Sequence, residues 1–171
     1  MELLRQLVRA IPDFPKPGIL YRDITPVLED ANGLREAVAA LAQPFRDEKI
    51  DRVLGMESRG FIFGTAVALE LGAGFVAARK PGKLPRTTVS AEYQLEYGTD
   101  ELEVHTDSIE AGQRVLIVDD LIATGGTAAA AIELVQRSGG EVVGCAFLIA
   151  LDDLRGSDRL KTDRVHCVIH Y

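Results

Sequence analysis

Several features typical of other protein classes are missing from this sequence of 171 residues. It has no surplus of positive charge, since 19 lysine and arginine residues stand against 26 aspartate and glutamate residues, for a net charge of −7. Sequence-independent binding of nucleic acid needs a basic face, which this balance does not favour. No apolar run approaches the roughly 18 residues of a membrane helix, and residues 1–5 do not open a secretory signal. We therefore expect a cytoplasmic protein with no nucleic-acid or membrane partner.

Cysteine and histidine are also scarce. The two cysteines, Cys145 and Cys167, lie in apolar, strand-like stretches, which indicates two buried free thiols. His166 and His170 are four residues apart, but their segment has the composition of a strand, and His105 lies far away in sequence. These histidines do not form a convincing ligand set, so we expect no metal site built from protein side chains.

What is present indicates one globular domain spanning residues 1–171, because 47% of the residues are hydrophobic and the length suffices for a good core. Strand-like and helix-like stretches alternate, which predicts an α/β fold with a central parallel sheet flanked by helices. The predicted strands are 51–56, 75–79, 115–118, 142–151 and 164–169, and the predicted helices are 1–10, 33–49, 60–71 and 127–137. Two additions to this core are expected: an N-terminal segment, 1–32, with an irregular Pro- and Gly-rich part at 11–27, and an antiparallel ribbon at about 81–104.

The most informative stretch is Val115-Leu116-Ile117-Val118-Asp119-Asp120-Leu121-Ile122-Ala123-Thr124-Gly125-Gly126-Thr127. Its four branched apolar residues predict a parallel strand that is buried on both faces. Ligands of such sheets bind at the carboxyl ends of strands, where we place Asp119 and Asp120. Carboxylates only accept hydrogen bonds, so these two acids suit the vicinal hydroxyls of a sugar.

The small residues that follow predict a phosphate-binding loop. Gly125 and Gly126 allow close backbone approach, the two threonines add hydroxyl donors, and the next helix offers free N–H groups with a positive dipole end. The loop matches neither the P-loop nor the dinucleotide fingerprint. The alternative is an ordinary strand, glycine turn and helix, but packing alone does not explain paired acids at a strand end.

A second anion site is predicted where the chain repeats the same order of strand, acid, small polar residue and helix. Glu57 and Ser58 follow the strand at 51–56, Ser58 is a candidate helix cap, and Arg59 supplies a forked donor suited to phosphate. Arg79 and Lys80 end the next strand and are expected to converge on the same place. A cation beside a helix N-terminus is unfavourable unless an anion is present, which disfavours the alternative of a plain surface arginine. The two sites together indicate a sugar phosphorylated at both ends.

The ribbon begins with the basic segment 80–86 and reaches its aromatic and acidic tip at 93–98. A mobile lid that excludes water from a reactive intermediate would explain this composition. The alternative is a solvated hairpin without a catalytic role.

Four stretches carry a resemblance to a known family. Residues 115–127 resemble the phosphoribosyl-pyrophosphate motif of type I phosphoribosyltransferases, and residues 14–26, 57–61 and 95–98 are similar to the adenine-specific branch of that family. The first motif is typical of the whole superfamily, whereas the Tyr21-Arg22-Asp23 segment and the Leu-Glu-Tyr-Gly tip are more specific. The resemblance covers essentially the whole chain.

The resemblance implies that phosphoribosyl pyrophosphate and adenine react to give AMP and pyrophosphate, with Mg²⁺ carried mainly by the sugar substrate. It also implies that the protein is a homodimer. The resemblance further implies a role for each site residue. Ala123, Thr124, Gly125, Gly126 and Thr127 would hold the 5′-phosphate, Asp119 and Asp120 the ribose, Glu57, Ser58, Arg59 and Lys80 the pyrophosphate, and Leu20, Tyr21 and Arg22 the adenine under a hood, with Glu96 and Tyr97 as the catalytic lid residues. The Glu57–Ser58 turn is expected to carry a cis peptide bond, as it often does in this family.

One residue departs from the family pattern. The hood position that stacks on the purine is often Phe and is Tyr21 in this chain, so stacking is retained but the added hydroxyl needs a partner or solvent. Two alternatives stay open: a phosphoribosyltransferase for another purine base, and a regulator that senses the sugar without turnover. The regulator usually carries an added DNA-binding domain or basic surface, which this chain lacks.

Overall fold

A five-stranded parallel sheet forms the centre of the chain in the computed structural model, which describes residues 1–94 and 98–171. The helices are α1 Glu2–Leu7, α2 Thr25–Glu29, α3 Ala31–Ala42, α4 Arg59–Leu71 and α5 Gly126–Arg137. The strands are β1 Arg9–Pro12, β2 Leu20–Asp23, β3 Arg52–Met56, β4 Gly74–Ala78, β5 Thr88–Gln94, β6 Thr99–His105, β7 Arg114–Ile122, β8 Glu141–Ala150 and β9 Val165–His170. The sheet has the order β4-β3-β7-β8-β9, and all its pairs are parallel. The predicted α/β class is confirmed.

The sheet is covered on both faces, as its uninterrupted apolar strands require. On one side α3 and α4 pack against it around Phe63, Leu116 and Leu148, each with no exposed surface. On the other side α5 packs against it around Ile117 and Leu134, which are also fully buried. None of the helices in the described ranges is both long and apolar enough to span a bilayer.

Two of the predicted helices have different ends in the structure. The first ends at Leu7 rather than Ala10, because Arg9–Pro12 pairs antiparallel with Leu20–Asp23 as a small separate sheet. The helix predicted for 33–49 runs over Ala31–Ala42 and continues only as a 3-10 turn at Gln43–Phe45. Asp30 caps its start by accepting hydrogen bonds from the next helical amides, and Pro44 lacks the N–H that a longer helix would need.

The strands of the ribbon are buried in the core to a greater extent than the sequence indicated. Thr88–Gln94 and Thr99–His105 form the expected antiparallel pair, and Arg79 joins it through a bridge to Glu103. Ala91, Leu102 and Val104 are buried against the side of the sheet that carries α5. The described strands are therefore fixed by packing. Residues 95–97 of the predicted tip at 93–98 lie outside the described ranges, so the mobility of the tip stays a prediction.

The strand of the main motif is longer than predicted. The sequence placed its end before Asp119, but β7 continues to Ile122, because Leu121 and Ile122 keep pairing with Ile149 and Ala150 of β8. The two acids therefore lie within the last residues of the strand β7, and the pairing of β7 with β8 beyond them holds their backbone rigidly at the carboxyl edge of the sheet.

Candidate active site

The carboxyl ends of β3, β4 and β7 meet at one edge of the sheet and enclose a cavity of about 400 Å³. Every residue that the sequence assigned to the phosphate, ribose or pyrophosphate lines this cavity. They are Glu57, Ser58, Arg59, Lys80, Asp119, Asp120, Ala123, Thr124, Gly125, Gly126 and Thr127. Met56, Tyr93, Ile122 and Phe147 also line it. The cavity thus joins the two predicted anion sites, as a sugar phosphorylated at both ends requires.

The predicted phosphate-binding loop leads directly into α5. Gly125 is the N-cap residue and has a positive φ of 81°, a conformation that glycine adopts without the Cβ penalty. No side chain caps this helix start. The first amides of a helix lack partners within the helix, so those of α5 are free to donate to an anion at the positive end of the dipole.

A segment from a distant part of the sequence supports this loop. Gly156, in a 3-10 turn between β8 and β9, lies so close that a Cβ atom on Gly125 would come within 2.3 Å of its carbonyl oxygen. A Cβ atom on Gly156 would in turn come within 2.2 Å of the carbonyl oxygen of Ala123. The loop conformation therefore depends on backbone contact between two glycines, and the sequence reasoning missed Gly156 because nothing local indicates the contact.

The two acids of the motif have different surroundings. Asp119 accepts a hydrogen bond from the backbone N–H of Asp120 at 2.8 Å and lies against Gly60 at the start of α4. Burial raises the pKa of Asp119 well above its usual range, and repulsion from the neighbouring Asp120 carboxylate adds to this shift. Asp120 is only 3% exposed and forms an ion pair with Arg59.

Arg59 is the first residue of α4 and contacts three parts of the site. Its Nε lies 2.6 Å from Oδ2 of Asp120, but the N–H does not point at that oxygen, so the contact is an ion pair without a well-directed hydrogen bond. Its Nη1 donates a hydrogen bond of 2.5 Å to the Tyr21 hydroxyl. Partial burial opposes the charge of Arg59, but the combined contacts with Asp120, Tyr21 and Asp119 outweigh it and raise the guanidinium pKa. Arg59 therefore carries a permanent positive charge into the cavity.

Lys80 reaches the same cavity from the end of β4 and is held by the ribbon. Its ammonium group forms an ion pair with Asp100 and donates a hydrogen bond to the Tyr93 hydroxyl at 2.8 Å. Partial burial would lower the Lys80 pKa, but the contacts with Asp100 and Tyr93 raise it overall. The sequence reasoning did not single out Asp100. The antiparallel pairing of the ribbon would have indicated Asp100, because this residue lies directly opposite Tyr93.

The turn after β3 contains the expected cis peptide bond between Glu57 and Ser58. Ser58 occupies the N-cap position of α4, but its side chain makes no capping hydrogen bond, so the prediction of a serine cap is wrong. The Glu57 carboxylate accepts hydrogen bonds from the Lys80 backbone at 2.9 Å and from Arg79 Nε at 3.2 Å. The bond from Lys80 lowers the Glu57 pKa, so this side chain is a fixed negative charge that ties β3 to β4.

The predicted hood residues belong to β2 and differ in their contacts. Leu20 is 50% exposed, as the open face of a base pocket would be. Tyr21 packs edge-on against Phe14, with ring centroids 5.1 Å apart, and its hydroxyl accepts a hydrogen bond from Arg59. None of the three hood residues is itself among the residues that line the cavity. The Arg22 guanidinium lies 3.7 Å from the centre of the Tyr171 ring, which anchors the hood to the C-terminal residue.

Glu96 and Tyr97, the expected catalytic lid residues, lie outside the described ranges, so their roles stay predictions. In the described part of the chain, no group of three or more His, Cys, Asp or Glu residues is arranged to hold a metal ion. The Nε2 atom of His166 lies 3.1 Å from the carbonyl oxygen of Ala40, and the Nδ1 atom of His170 lies 2.9 Å from Oδ1 of Asp152. These two histidines therefore make separate contacts.

Comparison with known proteins gives a consistent family. The sequence model of the phosphoribosyl transferase domain matches residues 26–169. The chain is 57% identical to an adenine phosphoribosyltransferase of Methylococcus capsulatus over the full length of both chains. It is 54% identical to an adenine phosphoribosyltransferase of Clostridium perfringens, with 98% of each chain covered.

Solved structures agree with this result. The adenine phosphoribosyltransferase of Rhodothermus marinus superposes with a TM-score of 0.95 at 57% identity, covering 99% of this chain and 97% of that one. The adenine phosphoribosyltransferase of Saccharomyces cerevisiae, solved with an imino-altritol bisphosphate and adenine, has a TM-score of 0.92 at 41% identity. That comparison covers 98% of this chain and 97% of the yeast chain.

The contact between the two glycines gives a first testable prediction. Gly125→Ala should lower the free energy of unfolding by about 3 kcal/mol, because the new methyl group adds a steric clash to the cost of a positive φ. Gly112→Ala is the matched control, since Gly112 has a similar φ of 79° but open space around its Cβ position. It should cost only about 1 kcal/mol. Urea unfolding followed by circular dichroism measures both, and equal losses would contradict the proposed contact.

Proposed function

The chain belongs to the phosphoribosyl transferase family, among the adenine phosphoribosyltransferases, and on that premise we propose that it makes AMP and pyrophosphate from adenine and phosphoribosyl pyrophosphate. This reaction returns a free base to the nucleotide pool, which is purine salvage. The observation that carries the proposal is the single cavity in which the phosphate loop, two carboxylates and two cations meet. Relatives above 50% identity along their whole length supply the choice of adenine over another base.

We propose that the phosphate loop and the two acids hold the ribose phosphate. The free amides at the start of α5, together with Thr124 and Thr127, suit the 5′-phosphate. Asp119 and Asp120 suit the ribose hydroxyls, and their negative field also favours the sugar cation that develops when the bond to pyrophosphate breaks. The support for this arrangement is the position of both acids within the strand β7, which stays paired with β8 beyond them at Leu121 and Ile122.

The leaving pyrophosphate would lie between Arg59 and Lys80. Both cations have carboxylate partners within the protein, Asp120 for Arg59 and Asp100 for Lys80. A polyanion that enters the cavity exchanges these internal partners for phosphate oxygens, to which guanidinium and ammonium groups bind strongly. Neutralising the charge of pyrophosphate makes it a better leaving group.

We further propose that Mg²⁺ enters with the pyrophosphate group of the substrate. Magnesium prefers oxygen ligands and usually binds through one or two carboxylates together with substrate phosphates and water. The carboxylates of Asp119 and Asp120 fit such an ion by their donor chemistry and their position in the cavity. When bound, the ion supplies charge neutralisation at the pyrophosphate.

The base would lie under the hood, where the Tyr21 ring stacks on the purine and backbone groups beside Leu20 and Arg22 read its edge. Adenine has to lose a ring proton during the transfer, and Glu96 on the lid is the group we assign to it, near N7 of the base. Tyr97 is expected to contact the phosphorylated sugar.

The cytoplasm is the compartment we propose for this chain. The support is its cysteine chemistry, since both cysteines are free. Burial raises the pKa of the Cys145 thiol to about 12 and that of Cys167 to about 11. Such thiols stay protonated and unreactive, as is common for cysteines of reducing compartments. Cys145 is buried as predicted, whereas Cys167 is only partly buried.

Base specificity is the direct test of the proposed function. Initial rates of nucleotide formation should be measured with phosphoribosyl pyrophosphate, Mg²⁺ and each of adenine, hypoxanthine, guanine and xanthine. The kcat/KM for adenine should exceed the others by at least about 100-fold, because a site built for one set of polar groups leaves its own groups unpaired with another. Chelation of Mg²⁺ should abolish the reaction. Faster turnover of any other base would sink the assignment to adenine.

The role of Glu96 has its own test. Glu96→Gln should lower kcat by about 10² to 10⁴, the usual contribution of a positioned proton acceptor, and change the KM for phosphoribosyl pyrophosphate by less than about threefold. Glu92→Gln is the matched control, because Glu92 is an exposed glutamate on the same ribbon. It should leave both constants unchanged. If Glu96→Gln turns over as fast as the unaltered protein, another group handles the proton.

We propose that the protein is a homodimer that pairs through the outer face of α4. Ile62 and Leu69 are 43% and 79% exposed there, and their spacing of seven residues places them on one side of the helix. A symmetric dimer buries the same patch on both copies, so this apolar stripe would contact the same stripe of the second copy.

Light scattering should give twice the chain mass of 18.5 kDa. Leu69→Glu should shift the mass to that of a single chain, because it places a charge at each equivalent point of the interface. Leu154→Glu is the control, since Leu154 is 42% exposed in a different part of the fold. A single-chain mass for the unaltered protein would overturn the proposal.

A further inference from the structure

The Tyr21 hydroxyl connects two parts of the site that are far apart in sequence. Tyr21 lies in the hood strand β2, whereas Arg59 opens helix α4, 38 residues later. The Arg59 Nη1 donates to the hydroxyl oxygen at 2.5 Å, and the guanidinium carbon lies 5.6 Å from the centre of the Tyr21 ring. Stacking on a purine needs the aromatic ring of Tyr21 but not its hydroxyl.

The other contact of Arg59 is one that the substrate has to disturb. Asp120 pairs with Arg59 Nε, but the same carboxylate is expected to bind ribose hydroxyls. When the sugar takes Asp120, Arg59 loses this partner and keeps only the Tyr21 hydroxyl among the contacts described here. A long arginine side chain without a partner samples several rotamers, and ordering it again opposes the binding of pyrophosphate.

The hydroxyl is itself held in place by the hood. The Tyr21 ring packs edge-on against Phe14, and its strand pairs with β1 in the small sheet. The next turn is fixed by Asp23, which accepts hydrogen bonds from the backbone and the hydroxyl of Thr25. A purine that stacks on the free face of the ring would restrict Tyr21 further, and with it the acceptor that Arg59 uses.

We propose that the Tyr21 hydroxyl is a positioning group that couples the base pocket to the pyrophosphate site. Adenine orders the tyrosine ring, the hydroxyl orders the Arg59 guanidinium, and the ordered guanidinium binds pyrophosphate more tightly. Because coupling is reciprocal, pyrophosphate tightens adenine binding by the same factor. This inference rests on the proposed function, since it needs adenine under the hood and pyrophosphate at Arg59.

Adenine and magnesium pyrophosphate are the probes of this coupling, with saturating ribose 5-phosphate in every titration so that the sugar occupies Asp120. No turnover occurs, because ribose 5-phosphate has no leaving group at its anomeric carbon. Isothermal titration should give the dissociation constant of pyrophosphate with and without saturating adenine. The unaltered protein should bind pyrophosphate at least about fivefold more tightly when adenine is present, the lower end of ordinary coupling between sites. In Tyr21→Phe this factor should fall below about twofold, while adenine binding alone weakens by at most about threefold because the ring is kept.

Phe14→Leu is the control for a purely structural effect. It removes the ring that packs on Tyr21 without touching Arg59, so it should weaken adenine binding and retain a coupling of at least about threefold. A Tyr21→Phe variant that binds both probes with the coupling of the unaltered protein would overturn the inference and leave the proposed function intact. Failure of the unaltered protein to bind adenine would overturn both.

Discussion

The ion pair between Asp120 and Arg59 is the interaction on which the organisation of the site depends. Asp120 is almost completely buried, and a buried carboxylate is costly in free energy unless a cation compensates it. Arg59 provides that charge from the first turn of α4, a position where a cation opposes the helix dipole and therefore needs an anion of its own. The charge of Arg59 thus compensates the buried carboxylate of Asp120, and that carboxylate compensates the unfavourable position of Arg59 at the helix N-terminus. The hood joins the pair through the Tyr21 hydroxyl, so the proposed base pocket, sugar site and pyrophosphate site would share one charged centre.

The same arrangement recurs around the cavity. Lys80 pairs with Asp100, and Arg79 with Glu57, so every cation described here at the pyrophosphate end has an internal carboxylate partner. Polyanion binding is then an exchange of partners rather than the capture of an anion by unpaired charges. Such an exchange favours ligands with several phosphate oxygens over single anions, because one phosphate cannot replace several carboxylates at once. Since Asp100 belongs to the ribbon, the exchange at Lys80 also loosens one tie between the ribbon and β4.

The sheet and the phosphate loop could be predicted from the sequence because their signals are local. Branched apolar runs such as Val115–Val118 identify buried strands, and Gly125 and Gly126 identify a loop that opens a helix. What could not be predicted depends on residues distant in sequence. The extension of β7 to Ile122 requires its partner in β8, and the cap by Ser58 fails although the local pattern favours it. The partner of the Tyr21 hydroxyl lies in another element, so the sequence indicates only that one is needed.

The contact between Gly125 and Gly156 also limits how the chain can be rearranged. The segment between β8 and β9 is exposed in part, with Arg155 and Asp158 at its surface, and exposed turns usually tolerate insertions or new chain ends. Here the backbone of Gly156 is buried against the phosphate loop, so a tag, an inserted domain or permuted termini in this turn would disturb catalysis from outside the cavity. The turns beside Gly72 and Gly112, which have open space around their Cβ positions, are better places for such changes.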